Sequence, residues 1–296
     1  MRPAWLLALL AGCATSTPAD GPAALARRVE QALGPGEWGV WFHDLQDGET
    51  LELRADEAFH PASTLKLLVM ARVMQDVAED RYPLDVTLPV TTTFMSAAKE
   101  DPQPFEVEPT KALAEKVGGT ASVRELLELM ITASDNLATN LLIRQAGGPE
   151  AITALARELG AARSDVRRWV EDEQAFQEGL SSLAVPREYG ALLVRLWRGE
   201  VVGREASAEM LALMRRVRDR SMLPRRLPRG AAVAHKTGSI SSVRNDVGLI
   251  TLPDGRAFVA VFFSRRLIDP ERAERGIAAA ARVLYDHVVA KPAPGR

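Results

Sequence analysis

The chain has 296 residues, 47% of them hydrophobic and 26% charged, which excludes a disordered or low-complexity protein and allows one or two sizeable cores. Its 37 basic and 39 acidic residues leave a net charge of -2, so no overall electrostatic footprint points to nucleic acid or to an anionic membrane surface. Small neutral or zwitterionic partners fit better.

In chain order, "MRPAWLLALLAGCATSTPADG" opens with one positive charge, then an apolar run, then a polar tract. The run is shorter than the ~20 residues that cross a bilayer and reads as a signal sequence over residues 1–12. Leu10-Ala11-Gly12-Cys13 resembles a lipobox, which implies cleavage before Cys13, lipidation of its sulfur and a flexible tether over 13–23. Cys13 is also the only cysteine, so the mature body can form no disulfide.

From residue 24 to 290 the pattern is that of one folded unit. Leu25, Val29 and Leu33 share a helix face that Gly34 stops. "EWGVWFHDLQDGETLELRAD" alternates apolar and polar residues around Asp47-Gly48, a hairpin signal. From Ser63 to about Arg216 the spacing is mainly helical, clearest in "SVRELLELMITASDNLATNLLIRQAGG" and "VPREYGALLVRLWRGE". Two irregular gaps interrupt it, Thr91 to Thr120 and Gly160 to Val185; the aromatics of the second favour a packed loop. Strand character returns in "AAVAHKTG", "SSVRNDVGLITL" and "AFVAVFFSR", with Asp254-Gly255 as a further hairpin, and "ERAERGIAAAARVLYDHVVA" is the last helix. The expected fold is α+β: a mainly antiparallel sheet of about five strands built from both termini (24–62 and 225–290), flanked by helices, with an inserted helical lobe at 63–224.

Three short motifs carry chemistry. Serine is a weak nucleophile until a neighbour takes its proton. In Ser63-Thr64-Leu65-Lys66, spacing i,i+3 on a helix sets an amine on the face of the hydroxyl, at the start of a segment apolar enough to be buried. The pattern alone arises by chance about once in a chain of this length, and Ser96-Ala97-Ala98-Lys99 also matches it. That second match lies in "FMSAAKEDPQP", which reads as an exposed loop without rigid support. Ser134-Asp135-Asn136 falls between two amphipathic helices, where Ser134 or Asp135 could equally cap the second. Lys236-Thr237-Gly238 ends an apolar strand. Each tripeptide is expected by chance in about one such chain in twenty, so all three in order carry weight.

This set resembles that of class A β-lactamases and penicillin-binding proteins, over about Ala24 to Ala290. The resemblance implies a metal-free, cofactor-free serine hydrolase, monomeric, acting on a small-molecule β-lactam in the bacterial cell envelope, facing the periplasm or secreted. It implies Ser63 as nucleophile, with Lys66 helping to remove its proton, which requires either a pKa below the usual ~10.4, favoured by the nearby Lys236, or a relay through water or another side chain. Ser134 would protonate the departing ring nitrogen, Asn136 would hold the substrate amide and Lys66, and Lys236 and Thr237 would bind the substrate carboxylate. The N–H groups of Ser63 and Ser239 would form the oxyanion hole. The same fold also serves D-alanyl peptidases, esterases and penicillin sensors that are acylated without turnover.

One departure stands out. The family's water-positioning pattern E-x-x-L-N is absent, and the corresponding region reads "RRWVEDEQAFQEGLSSLAVPRE". Glu171 follows an Arg-Trp pair as the family's acid approximately does, while Glu173-Gln174-Ala175-Phe176-Gln177 imitates the spacing; Glu171 is favoured, with ordinary loop charges as the plain alternative. His60 and His235 flank the motifs and invite a Ser/His reading, but neither has an acidic partner evident in the sequence. No Cys/His spacing supports zinc.

Overall fold

The computed structural model describes residues 21–292; the signal sequence expected over residues 1–12 and the expected lipidation site Cys13 lie outside the described residues. Helix α1 (Pro22–Leu33) begins on proline, whose missing N–H costs nothing at a helix start, and ends at Gly34 with φ +73°. Strands β1 (Glu37–Asp44) and β2 (Thr50–Leu53) form the hairpin around Asp47-Gly48. A 3-10 turn (Ala62–Leu65) leads directly into α2 (Lys66–Ala78). Then come β3 (Thr87–Pro89), β4 (Thr93–Met95), β5 (Pro104–Glu106), α3 (Lys111–Ala114) and β6 (Thr120–Ser122). Helices α4 (Val123–Thr132), α5 (Asn136–Gln145), α6 (Pro149–Glu158), α7 (Glu173–Gln177), α8 (Pro186–Arg198) and α9 (Arg204–Arg215) follow. The chain closes with β7 (Ala232–Ile240), β8 (Val243–Thr251), β9 (Ala257–Arg265) and α10 (Pro270–Ala290).

The main sheet is antiparallel in the order β2-β1-β9-β8-β7, so the two ends of the chain complete one sheet. Both of its faces are covered. Phe258, Ala260 and Phe262 of β9 belong to the core shared with α1 and α10, while Val259, Val261 and Phe263 belong to the core of the helical lobe. That is the period-2 alternation of a strand, with apolar residues on both sides. It also corrects the alternation expected for β1, where Trp38 to Phe42 are all buried. Trp38, Val40 and Phe42 join the core of α1 and α10, and Trp41 packs on α8 so closely that a Cβ on Gly190 would lie 1.9 Å from its ring.

The helical lobe is built around α2, which is buried nearly all round. The first irregular gap holds more structure than its composition implied: β4 and β5 pair antiparallel with Phe94 opposite Phe105, and β3 pairs with β6. The second gap is a packed loop, tied down by the isolated bridges Phe59–Ala184 and Asp165–Leu183 and by Trp169 against the core. The expectation that Ser96-Ala97-Ala98-Lys99 forms an exposed loop needs correction. Ser96 and Ala98 are buried, because Ser96 Oγ donates to Asp172 Oδ1 at 2.7 Å and is covered by the second loop; only Lys99 is exposed.

Candidate active site

Ser63 is half-buried in the 3-10 turn, just after Ala62, whose φ of +47° is costly for a residue with a side chain. Several bonds hold this bend. Ala62 N–H donates to His60 Nδ1 at 3.0 Å, Asn245 Nδ2 donates to the carbonyls of His60 and Pro61 at 2.9 and 3.1 Å, and Thr64 Oγ1 donates to Pro61 O at 2.7 Å. Asn245 Oδ1 in turn accepts from Ser264 N at 3.0 Å, so β8 and β9 brace the turn. Nothing in the sequence signalled Asn245, since its partners His60 and Pro61 lie 185 and 184 residues away.

Strand β7 comes in close beside the turn. A Cβ on Gly238 would lie 2.7 Å from Pro61 O and 3.0 Å from Ser63 N, so only glycine permits this approach. The residues on either side thereby reach the serine: Lys236 and Thr237 line one cavity of about 430 Å³ with Ser63, Ser134 and Arg218, and Ser239 lines both this cavity and a second. The second, about 360 Å³, opens from Ser63 past Lys66 and Asn136 to Glu171 and Arg168. Ser63 stands where the two meet.

Lys66 Nζ donates to Ser134 O at 2.7 Å and Asn136 Oδ1 at 2.7 Å, and lies 3.1 Å from Ser134 Oγ. Lys236 Nζ also reaches Ser134 Oγ at 3.1 Å and donates to Thr237 O at 2.9 Å. Ser134 has a left-handed φ of +57°, and both its carbonyl and its hydroxyl face Lys66. The Lys66 amine, on the first residue of α2 and expected on the face of the Ser63 hydroxyl, makes its hydrogen bonds across to the α4–α5 turn, at Ser134 and Asn136. Ser63 and Lys66 still line one cavity. Asp135 takes the plain role weighed for this motif, capping α5 by accepting from Ala138 N at 2.7 Å.

Both amines are fully buried. Burial holds Lys66 well below the usual lysine range, and repulsion from Lys236 adds to it against the opposing fields of Asp135 and Glu171. Burial pushes Lys236 down to about 8, opposed by Asp246 and Asp219.

Asn136 bridges the two halves of the site. Its Oδ1 accepts from Lys66 and its Nδ2 donates to Glu171 Oε1 at 2.6 Å. Glu173, the first residue of α7, lines the same cavity, but its carboxylate accepts from Gln177 Nε2 at the other end of that helix, 3.2 Å away. The loop is held just before Glu171 by Asn140, whose side chain accepts from Val170 N and donates to Val170 O, both at 2.9 Å. Asn140 is buried one helical turn after Asn136, a spacing that could have marked it.

The histidines do not form a triad with Ser63. His60 Nδ1 is occupied as an acceptor for Ala62 N, and burial holds His60 down to about 4, so it is neutral. His235 does have an acidic partner, which its sequence neighbours did not show: its Nδ1 lies 2.9 Å from Asp246 Oδ1 on β8. The pair is fully buried and His235 lines neither cavity beside Ser63. Among the described residues no group of three or more His, Cys, Asp or Glu is arranged to hold a metal ion.

An alcohol at the junction of two cavities, with a buried amine of depressed pKa in the same cleft, is the arrangement of a serine hydrolase working by acyl transfer. Residues 23–288 match the model of the Beta-lactamase enzyme family, and the chain belongs to that family. It is 30% identical over 293 residues to a β-lactamase of Streptomyces fradiae, covering 94% of this chain and 92% of the relative. Among solved structures it is similar to PBP-A, with a TM-score of 0.76 and 27% identity over 91% of this chain and 97% of that one. It is likewise similar to a β-lactamase from Sphaerobacter thermophilus DSM 20745, with a TM-score of 0.77 and 27% identity over 92% and 98% of the two chains.

Proposed function

We propose that this protein is a serine β-lactamase that opens the β-lactam amide through an acyl-enzyme on Ser63. The observation that carries the reading is the convergence of two buried amines on one hydroxyl, Ser134 Oγ, each at 3.1 Å, in a cleft that also holds Ser63. Neutral Lys66 takes the Ser63 proton, directly or through the Ser134 hydroxyl, as the serine oxygen bonds to the lactam carbonyl carbon. Ser134 then passes a proton to the ring nitrogen as the C–N bond breaks, and recovers one from Lys66. Charged Lys236 with Thr237 binds the substrate carboxylate. The N–H groups of Ser63 and Ser239 receive the developing oxyanion, a contribution of about 3 kcal/mol per donor in comparable enzymes.

Glu171 completes the cycle as general base: it takes a proton from water, the water oxygen bonds to the acyl carbon, and the Ser63 oxygen leaves and regains its proton. A well-placed base contributes about 100- to 10,000-fold, so this residue separates turnover from trapping. Its hydrogen bond to Asn136, one residue from Lys66 in the same network, supports the assignment over Glu173. The lipobox-like Leu10-Ala11-Gly12-Cys13 supports export and lipid anchoring in the cell envelope, and the body is proposed to act as a monomer.

Intact mass after mixing with benzylpenicillin tests the reading. The parent is expected to show a transient acyl adduct, Ser63→Ala none, and Glu171→Gln a lasting one. A parent that keeps its adduct indefinitely is a penicillin sensor instead, and an unmodified parent that cleaves D-alanyl peptides is a peptidase.

A further inference from the structure

The β4–β5 hairpin reaches over the loop that carries Glu171 and is bonded to it along the whole of its tip. Ser96 Oγ donates to Asp172 Oδ1 and Ala97 N to Asp172 Oδ2, both at 2.7 Å. Lys99 N donates to Glu178 Oε2 at 2.8 Å, and Gln103 N to Gln174 Oε1 at 2.9 Å. In return Gln174 Nε2 donates to the carbonyls of Glu100 and Asp101 at 3.1 and 3.0 Å. At the base of the hairpin, Phe94 packs on Trp169 with ring centroids 5.6 Å apart.

These contacts bracket Glu171. Trp169 is held by Phe94, Val170 by Asn140, and Asp172 by Ser96 and Ala97. Glu171 itself has a left-handed φ of +66°, which a residue with a side chain adopts only where its surroundings impose it. Asp172 is fully buried, and its carboxylate also caps α7 by accepting from Ala175 N at 3.1 Å. Of the three donors to that carboxylate, two come from the hairpin, about 75 residues earlier in the chain. A carboxylate buried without its donors would be strongly disfavoured, so losing the hairpin bonds frees Asp172, and with it the strained peptide that aims Glu171.

We propose that the β4–β5 hairpin is a strap that sets the deacylation rate by holding the Glu171 peptide, with Ser96 and Asp172 as positioning residues. The inference rests on the assignment of Glu171 as the deacylating base. The second S-x-x-K match thereby has a use unlike that of the first: its serine is a donor to a structural carboxylate, its lysine contributes a backbone N–H to Glu178, and neither lines the two cavities beside Ser63.

The test compares Ser96→Ala, Gln174→Ala and Glu171→Gln with the parent, following adduct lifetime by quenched intact mass and steady-state hydrolysis of benzylpenicillin. A base displaced by a fraction of an ångström to 1 Å loses up to roughly 100-fold, so Ser96→Ala is expected to lengthen the adduct half-life about tenfold or more. kcat and KM then fall together, while kcat/KM, which reports acylation, stays within roughly twofold. A merely structural role would lower kcat/KM and the acylatable fraction instead. Gln174→Ala, which removes the α7 partner of Glu100, Asp101 and Gln103 in the strap, shows the same pattern more weakly and serves alone if Ser96→Ala does not fold. Parental adduct lifetimes in both strap variants, beside a long-lived adduct in Glu171→Gln, would overturn the strap alone. Parental lifetime in Glu171→Gln would overturn the role of Glu171 and the strap with it.

Discussion

Gly238→Ala probes the approach of β7 to the turn that carries Ser63. The φ of Gly238 lies outside the left-handed region, so alanine brings no backbone penalty and the effect is one of space alone. The new Cβ would sit 2.7 Å from Pro61 O, 3.0 Å from Ser63 N and 3.1 Å from Thr64 Cγ2. Comfortable contact begins at about 3.5 Å, so strand and turn must part by roughly 0.5 to 1 Å. Neither side yields easily: the turn is pinned by Asn245 and His60, and β7 is paired with β8 along its length. Overpacking of this kind costs about 1 to 3 kcal/mol, or a Tm lower by roughly 3 to 10 °C. Because the same shift separates the N–H groups of Ser63 and Ser239, kcat/KM should fall by about 100-fold. Hydrolysis of a chromogenic cephalosporin and a thermal melt measure both quantities. A lowered Tm with parental kcat/KM would refute the link between strand approach and catalysis; both at parental values would refute the close contact itself.

Two further expectations concern protons. Lys236 titrates at about 8, so kcat/KM should fall about tenfold between pH 8 and pH 9 to 9.5 as the carboxylate-binding charge is lost, and Lys236→Arg, charged throughout, should show no such limb; an identical alkaline limb in both proteins would assign it elsewhere. His60 is neutral in the fold down to about pH 4, whereas in the unfolded chain it takes a proton below its ordinary 6.5. Its stabilising contribution is therefore complete above pH 6.5 and is lost as pH falls toward 4, amounting to roughly 2 kcal/mol at pH 4.5. Urea unfolding of the parent and His60→Asn at pH 7.5 and 4.5 should show the parent losing more on acidification by about that amount, and equal losses would exclude His60 as the titrating group.

Much of the molecule is readable without coordinates. Asp47-Gly48 and Asp254-Gly255 mark hairpins because their turns need backbone angles that glycine supplies, and Gly34 and the apolar spacing of Leu25, Val29 and Leu33 delimit α1 through interactions within a turn or two. Ser63, Lys66, Ser134, Asn136, Lys236 and Thr237 could likewise be named from three short motifs, each with its own local element, and Ser239 from the family resemblance those motifs carry. The structure brings all of them to one cleft.

Other features have no local signal. Whether Glu171 or Glu173 faces Asn136 depends on how a loop is routed between a hairpin and a helix, since two glutamates two residues apart differ only in the peptide orientation that tertiary contacts impose. The burial of Ser96, the bracing by Asn245, the Asp246 partner of His235 and the withdrawal of Lys66 toward Ser134 share this cause: each joins residues 11 to 185 positions apart in the chain. Periodicity and turn chemistry act over about four residues, so they determine which elements form and which motifs they carry. Which buried amine meets which oxygen is decided only when those elements pack, because burial and proximity set both partner and pKa there.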